Sequence, residues 1–311
     1  MEKSSLLFLF YMDEELCPEQ LGLENERRWL ILRTRVFEEN IKSAFELFRA
    51  EGIEPLLIKG WAAAREYPEK HRRVFSDIDL CVPPGLFEKA QAICSGDEGK
   101  RFNIDLHCGL RHLDTLAWDD LFENSQTVLL DDVPVRVLRP EDHLRVLCVH
   151  WLTDGGAYRE RLLDIYHLLE NHAAEFDWER CLGKISPERR DWIYKTIGMT
   201  HRIYGLDVSG MPSAAETASI PQWFIKALEK EWASDTKLLP VHTLIGNRRE
   251  FWKQIKKRFP PNAIQATIDM EGKFDDSARF YYQVGSIFLR LRPSVRRIYN
   301  TLKIRMRRKV D

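Results

Sequence analysis

The chain has 311 residues, 44% of them apolar, and its 47 Lys and Arg nearly cancel its 48 Asp and Glu. That composition excludes a disordered chain, supplies material for one large domain or two ordinary ones, and excludes a bulk electrostatic pull toward nucleic acid or membrane. The six cysteines (Cys17, Cys81, Cys94, Cys108, Cys148 and Cys181) contain no CxxC pair, which excludes the common zinc and redox motifs and fits reduced thiols in a cytoplasmic protein.

The first apolar run, Ser4 to Met12, is followed at once by Asp13, Glu14 and Glu15 and has no small-residue cleavage site. It reads neither as a signal peptide nor as a membrane span, and no transmembrane segment is expected elsewhere. Over residues 25–50, Leu30, Leu32, Val36, Phe37, Ile41, Ala44, Phe45 and Phe48 recur at helical spacing and predict a long amphipathic helix ended by Gly52. Residues 55–59 then form a short apolar run expected to be a buried strand, broken by Gly60, and residues 61–67 have the propensity of a short helix. Asp77-Ile78-Asp79-Leu80-Cys81-Val82 alternates strictly, so it predicts a strand with two unlike faces, stopped by Pro83-Pro84-Gly85. A helix is expected over residues 86–94, a second alternating strand over residues 101–107, and a hairpin joining residues 126–130 to 133–138 through Asp131-Asp132. Beyond Arg139-Pro140 the period-2 segments vanish. Helices are predicted at residues 141–152, 158–170, 187–204, 221–232, 249–259 and 277–290. The expected organisation is a domain of residues 1–140 containing the strands and an all-helical domain of residues 141–311, in the α+β class.

In a strand, residues i and i+2 share a face, so Asp77 and Asp79 project together while Ile78, Leu80 and Val82 enter the core. On the later strand Asn103, Asp105 and His107 share a face. If the two strands are neighbours, three carboxylates converge, and neighbouring carboxylates repel one another unless a cation lies between them. An all-oxygen cluster suits Mg²⁺ or Mn²⁺, with room left for water and substrate phosphate, as in-line phosphoryl or nucleotidyl transfer requires. A DxD tripeptide alone is weak evidence. The weight comes from the apolar strand it opens, the Lys59-Gly60 strand end before it and the third acid downstream.

In this order Leu57-Ile58-Lys59-Gly60, Tyr67-Pro68, Arg73-Val74-Phe75-Ser76-Asp77-Ile78-Asp79-Leu80-Cys81-Val82 and Ile104-Asp105-Leu106-His107 resemble a family of largely uncharacterised bacterial nucleotidyltransferases of the DNA polymerase beta-like superfamily. Its pattern is KG, YP, RxxxDxDLxV and DLH. Residues 144–150 and Arg161 to Ile165 resemble the helices that follow in it, and the likeness runs from about Leu56 to Leu169. It implies a mixed sheet backed by helices, Asp77, Asp79 and Asp105 as metal ligands and catalytic residues, Asp105 as general base, and a backbone at Gly60 that approaches phosphate. Trp61 stands where the wider superfamily has a serine, so Lys59 and Arg73 are the expected sources of positive charge.

His107 is expected either to meet a phosphate or to orient Asp105. His150 and Asp164 lie in helical apolar patterns and read first as partners in helix–helix hydrogen bonds, while Tyr67 and Trp61 read first as packing residues, with stacking on a base as the alternative. From Arg290 to Lys309 the sequence is strongly basic. It reads first as a solvated terminus and second as a contact for nucleic acid or an anionic membrane. The expected activity is Mg²⁺-dependent transfer of a nucleotidyl or related phosphate-linked group from an NTP to a small-molecule or peptide acceptor. The alternatives are a glycosyltransferase gripping a nucleotide sugar through its DxD, and a catalytically degenerate nucleotide-binding or regulatory protein.

Overall fold

In a computed structural model of the chain, the structure describes residues 18–110, 115–234, 236 and 247–290. The apolar run Ser4 to Met12 and the basic stretch after Arg290 lie outside them. Five strands, β1 (Leu56–Leu57), β2 (Ile78–Val82), β3 (Ile104–Cys108), β4 (Gln126–Leu130) and β5 (Val133–Val137), form one mixed sheet in the order β3-β2-β1-β5-β4. The β2/β3 and β1/β5 pairs are parallel, and β1/β2 and β4/β5 are antiparallel. Helices surround this sheet and account for the rest of the regular structure, so the fold is α+β.

Helix α1 (Pro18–Ala50) covers one sheet face. Its Ile41, Ala44, Phe45 and Phe48 pack with Leu57, Ile78, Leu80, Val82, Val135 and Val137, which is why the predicted apolar stripe and the alternating strand residues share one core. The short helix α2 (Trp61–Ala64) follows the Lys59-Gly60 turn, and α3 (Phe87–Ser95) adds Ala90 to the same core. On the opposite face Leu56, Ile58, Cys81 and Leu138 meet Leu121 of α4 (Trp118–Glu123) and Val146 of α5 (Pro140–Thr153). The expected strand of residues 55–59 is shorter in the structure, because the chain turns toward α2 at Gly60, where φ is 57° and ψ is −111°. The β4/β5 hairpin has Leu130 opposite Val133 and Asp131 at φ 54°, a two-residue turn as the sequence predicts.

Helix α5 starts where period-2 patterning stops, with Pro140 at its first turn and Glu141 and Asp142 beside the helix N-terminus. Its Leu144, Cys148, Trp151 and Leu152 enter a second large core shared with α6 (Leu162–His172), α7 (Trp178–Leu182), α8 (Pro187–Tyr204), α10 (Gln222–Trp232) and α12 (Ala263–Asp269). Because Val146 faces the sheet and its neighbours face the helices, α5 joins the two halves. Helices α9 (Ala214–Ala218) and α11 (Arg248–Lys257) lie between these elements, and a last helix, α13 (280–290), closes the described chain. No described helix is long and apolar enough to cross a membrane.

Candidate active site

Strands β2 and β3 run side by side in parallel with Asp79 opposite Asp105 and Cys81 opposite His107. Strand alternation sends Ile78, Leu80 and Val82 into the α1 core and turns Asp79, Asp105 and His107 to the other face. The depth of the two acids differs sharply: the side chain of Asp79 is 6% exposed and that of Asp105 is 56% exposed. His107 Nε2 lies 3.1 Å from Asp79 Oδ1 and 3.3 Å from Asp105 Oδ2. With carboxylate oxygens on both sides, that nitrogen donates while it carries the proton, and a bound cation would take the proton's place. Lys59 Nζ sits 2.6 Å from the same Asp79 oxygen. Burial pushes the Asp79 carboxyl up, but the His107 hydrogen bond and the Lys59 ammonium outweigh it and hold the group below the ordinary aspartate value.

Asp77 stands just before β2, half-buried. Burial raises its carboxyl above the ordinary value, the Asp79 charge adds to the rise, and Lys59 opposes it. Asp77 lines the same cleft as Asp79 and Asp105. The set whose ligand atoms come within 4.8 Å of one another is, however, Asp79, Asp105 and His107 among the described residues. Two carboxylates and an imidazole at that spacing offer three ligand atoms to a divalent cation, with the Lys59 ammonium already beside the buried carboxylate. Asp77, expected as a ligand with Asp79 and Asp105, lines the cleft but lies outside this compact set, in which His107 stands in its place.

The turn before β2 departs from a phosphate-binding serine turn for a visible reason. Trp61 is buried, and its Nε1 donates to Glu38 Oε1 of α1 at 3.0 Å. Glu38 is itself fully buried and also paired with Arg35 at 3.2 Å and with Lys70. Trp61 thus anchors α2 to α1 and points away from the cleft. Gly60 lines the cleft; its positive φ favours glycine, and a Cβ there would meet Asp77 O at 3.5 Å and Phe75, which are ordinary contacts.

Arg73 lies on the cleft wall but is already engaged. Its Nε donates to Asp164 Oδ1 at 2.7 Å and its Nη2 to Asp164 Oδ2 at 2.8 Å, while Tyr67 Oη donates to Asp164 Oδ1 at 2.7 Å. Asp164 is buried on α6, so this fork ties the loop carrying Asp77 to the helical half. The sequence assigned Arg73 to nucleotide and Asp164 to a helix–helix hydrogen bond; the structure joins them in one ion pair between a loop and a helix.

The cleft has a volume of about 240 Å³. Besides the residues above, its walls include Arg33 from α1, His150 from α5 and Arg161 from the turn before α6. Arg33 donates to Phe75 O at 2.7 Å. Arg161 Nη1 donates to Asp154 Oδ2 at 2.7 Å, lies 2.9 Å from His150 Nε2, and its guanidinium rests 4.4 Å from the Tyr158 ring centroid. Sequence patterning does not single out Arg33 or Arg161, because each reaches the cleft only when α1 and α6 dock on the sheet. For Arg161 the one signal was its place in the segment that resembles the family's later helices.

The family described as uncharacterised nucleotidyltransferase matches residues 12–205. That span takes in α1, the whole sheet, every residue of the cleft and the helices through α8. No curated protein and no solved structure matches the chain.

Proposed function

We propose, since the chain belongs to this nucleotidyltransferase family, that it moves a nucleotidyl group from an NTP to a hydroxyl of a small-molecule or peptide acceptor at the Asp79–Asp105 cleft. The observation that carries the proposal is the parallel pairing of Asp79 with Asp105 inside a cleft whose walls hold Lys59, Arg33 and Arg161. Negative side chains cluster at one point and positive ones surround it, which is what a triphosphate neutralised by a divalent cation needs.

Asp79, Asp105 and His107 are the residues that would hold Mg²⁺ or Mn²⁺, with Asp77 beside them. When bound, such an ion neutralises triphosphate charge and polarises the phosphoryl oxygens. Lys59 and Arg161, both in the cleft wall, offer donors to the phosphate chain, and Gly60 lets it approach the backbone. Arg73, held by Asp164, sets the position of the loop that carries Asp77. In the reaction the acceptor oxygen bonds to the α-phosphorus, the bond from that phosphorus to the bridging oxygen breaks, and pyrophosphate leaves with the bond's electron pair. The acceptor's proton passes to Asp105, whose exposed side chain in the cleft wall suits contact with an incoming acceptor. Residues 1–140 then carry the side chains that would hold the cation, and residues 141–311 add Arg161 to the cleft and shape the acceptor side.

A DxD glycosyltransferase would carry a longer parallel sheet ahead of its DxD, and β1 alone precedes it among the described residues. Thermal-shift titrations of the four NTPs and of nucleotide sugars, each with MgCl₂ or MnCl₂, discriminate the readings. Stabilisation by an NTP that requires the cation and is lost in Asp79→Asn supports nucleotidyl transfer, and pyrophosphate release in the presence of acceptor, abolished in Asp105→Asn, completes it. Preference for nucleotide sugars, or NTP binding indifferent to metal, overturns it.

A further inference from the structure

Helix α13 packs on the protein through Tyr282, whose ring lies against Gly272 and Arg279, and through polar side chains. Its polar residues face the protein: Gln283 Nε2 donates to Pro261 O at 2.6 Å, Ser286 Oγ to Asp269 Oδ2 at 2.6 Å, and Arg290 to Asp269 and to Gln265 Oε1 at 2.8 Å. The opposite arc carries Phe280, Tyr281, Phe288 and Leu289, with Tyr281 77% and Phe288 71% exposed. Positions 281 and 288 are seven residues apart and stack on one face, with 280 and 289 flanking it. Gly285 lies in the same arc, so close to Met270 that a Cβ there would meet Met270 Sδ at 2.6 Å, and Met270, also exposed, extends the apolar surface onto the end of α12. At the start of the helix the Arg279 guanidinium is fixed by the carbonyls of Lys273 and Ser277. The face is therefore held outward by directional bonds on its other side.

Beyond Arg290 the sequence continues with eight Lys or Arg and a single acid, Asp311, over residues 291–311. An outward apolar helix face that runs into a polybasic segment has the two elements of a peripheral membrane anchor: an apolar face that enters the headgroup boundary, and cations that meet anionic lipid. We propose that α13 and the basic sequence after it dock the protein on an anionic phospholipid surface. A second copy fits this face less well, since it would bring two net-positive segments together. Duplex nucleic acid would answer the charge but offers no apolar surface for Phe288 and Leu289. The proposal does not depend on the nucleotidyl-transfer reading, because the face lies outside the cleft.

The test is co-sedimentation of the full chain with vesicles of phosphatidylcholine and with vesicles in which about a third of the lipid is phosphatidylglycerol. The expected result is binding to the anionic vesicles alone, weakened by salt. It should fall about tenfold or more both in the Phe280→Ser, Tyr281→Ser, Phe288→Ser, Leu289→Ser variant and in an Arg305→Gln, Arg307→Gln, Arg308→Gln variant, with Tm unchanged in each. Failure of the wild-type chain to bind overturns the proposal, as does serine-variant binding equal to wild type. It is overturned equally if the serine variant loses a dimer on size exclusion, or if its Tm falls because a segment of its own chain covers the face. Salt-sensitive binding to duplex DNA or RNA without vesicle binding would assign the basic segment to nucleic acid instead.

Discussion

Replacing Lys59 by methionine keeps an unbranched side chain one atom shorter and removes its charge, leaving Asp79 without the ammonium now 2.6 Å from its Oδ1. At that distance the gross attraction is about 6 kcal/mol for an effective dielectric constant of about 20. Breaking a buried pair from one side costs about 3–5 kcal/mol. His107 still donates to Asp79 at 3.1 Å, which places the loss at the lower end, about 3 kcal/mol, or roughly 6 °C in Tm for a chain of this size. Divalent cations should act in the opposite direction. Methionine leaves Asp79 and Asp105 with no resident lysine, so Mg²⁺ or Mn²⁺ at about a hundredfold over its Kd returns about 2.7 kcal/mol, nearly the whole deficit. The pH dependence follows from Asp79 lying below its ordinary value in the folded chain. Stability from that depression is present above the unfolded aspartate pKa and is lost as pH falls through the lower folded one, so the variant should lose part of this acid-sensitive increment. The assay is scanning fluorimetry of both proteins over a cation titration at several pH values. A variant that melts with the wild type, or a cation that raises both Tm values equally, refutes the reasoning, since Lys59 would then neither balance Asp79 nor stand where the cation binds.

Asp77 titrates with the opposite sign: its carboxyl lies above the ordinary value through burial and the Asp79 charge, so its ionised form costs stability as pH rises past the unfolded value. Asp77→Asn should therefore raise Tm at pH 7, a gain that disappears below about pH 4, while nucleotide-dependent stabilisation is lost; an unchanged or lower Tm at pH 7 argues against the buried repulsion. Arg73→Lys gives up a two-pronged bond to buried Asp164 and should lower the urea midpoint at constant m by an amount equivalent to about 3 kcal/mol; a midpoint equal to wild type would show that a point charge suffices. Trp61→Ser, which restores the superfamily's serine, should cost about 3–5 kcal/mol by emptying the α1–α2 contact and stripping Glu38 of its indole partner. It should also leave NTP affinity no higher, and a calorimetric gain in affinity would mean that position 61 can serve the cleft.

Patterns confined to one element were legible from residues alone. The alternation of Asp77 to Val82 marked β2 and separated its acidic positions from Ile78, Leu80 and Val82. The Asp131-Asp132 turn set the hairpin, and the loss of period 2 after Arg139 set the start of α5. Helices α4, α7, α9 and α12 were not foreseen, because five to seven residues span too few turns to establish a period.

For the site, sequence determined which residue types were present and which shared a strand face: Asp79 at the apolar strand, Asp105 and His107 on the later one, and Lys59-Gly60 before both. Tertiary structure alone decided the depth that separates buried Asp79 from exposed Asp105, and the place of His107 between them. It also decided that Arg73 answers Asp164, 91 positions away, and that Arg33 and Arg161 both line the cleft. The reason is physical: backbone geometry fixes which way neighbouring side chains point, so it can be read locally. Burial, charge pairing and cleft membership depend on which distant surfaces the hydrophobic cores bring together.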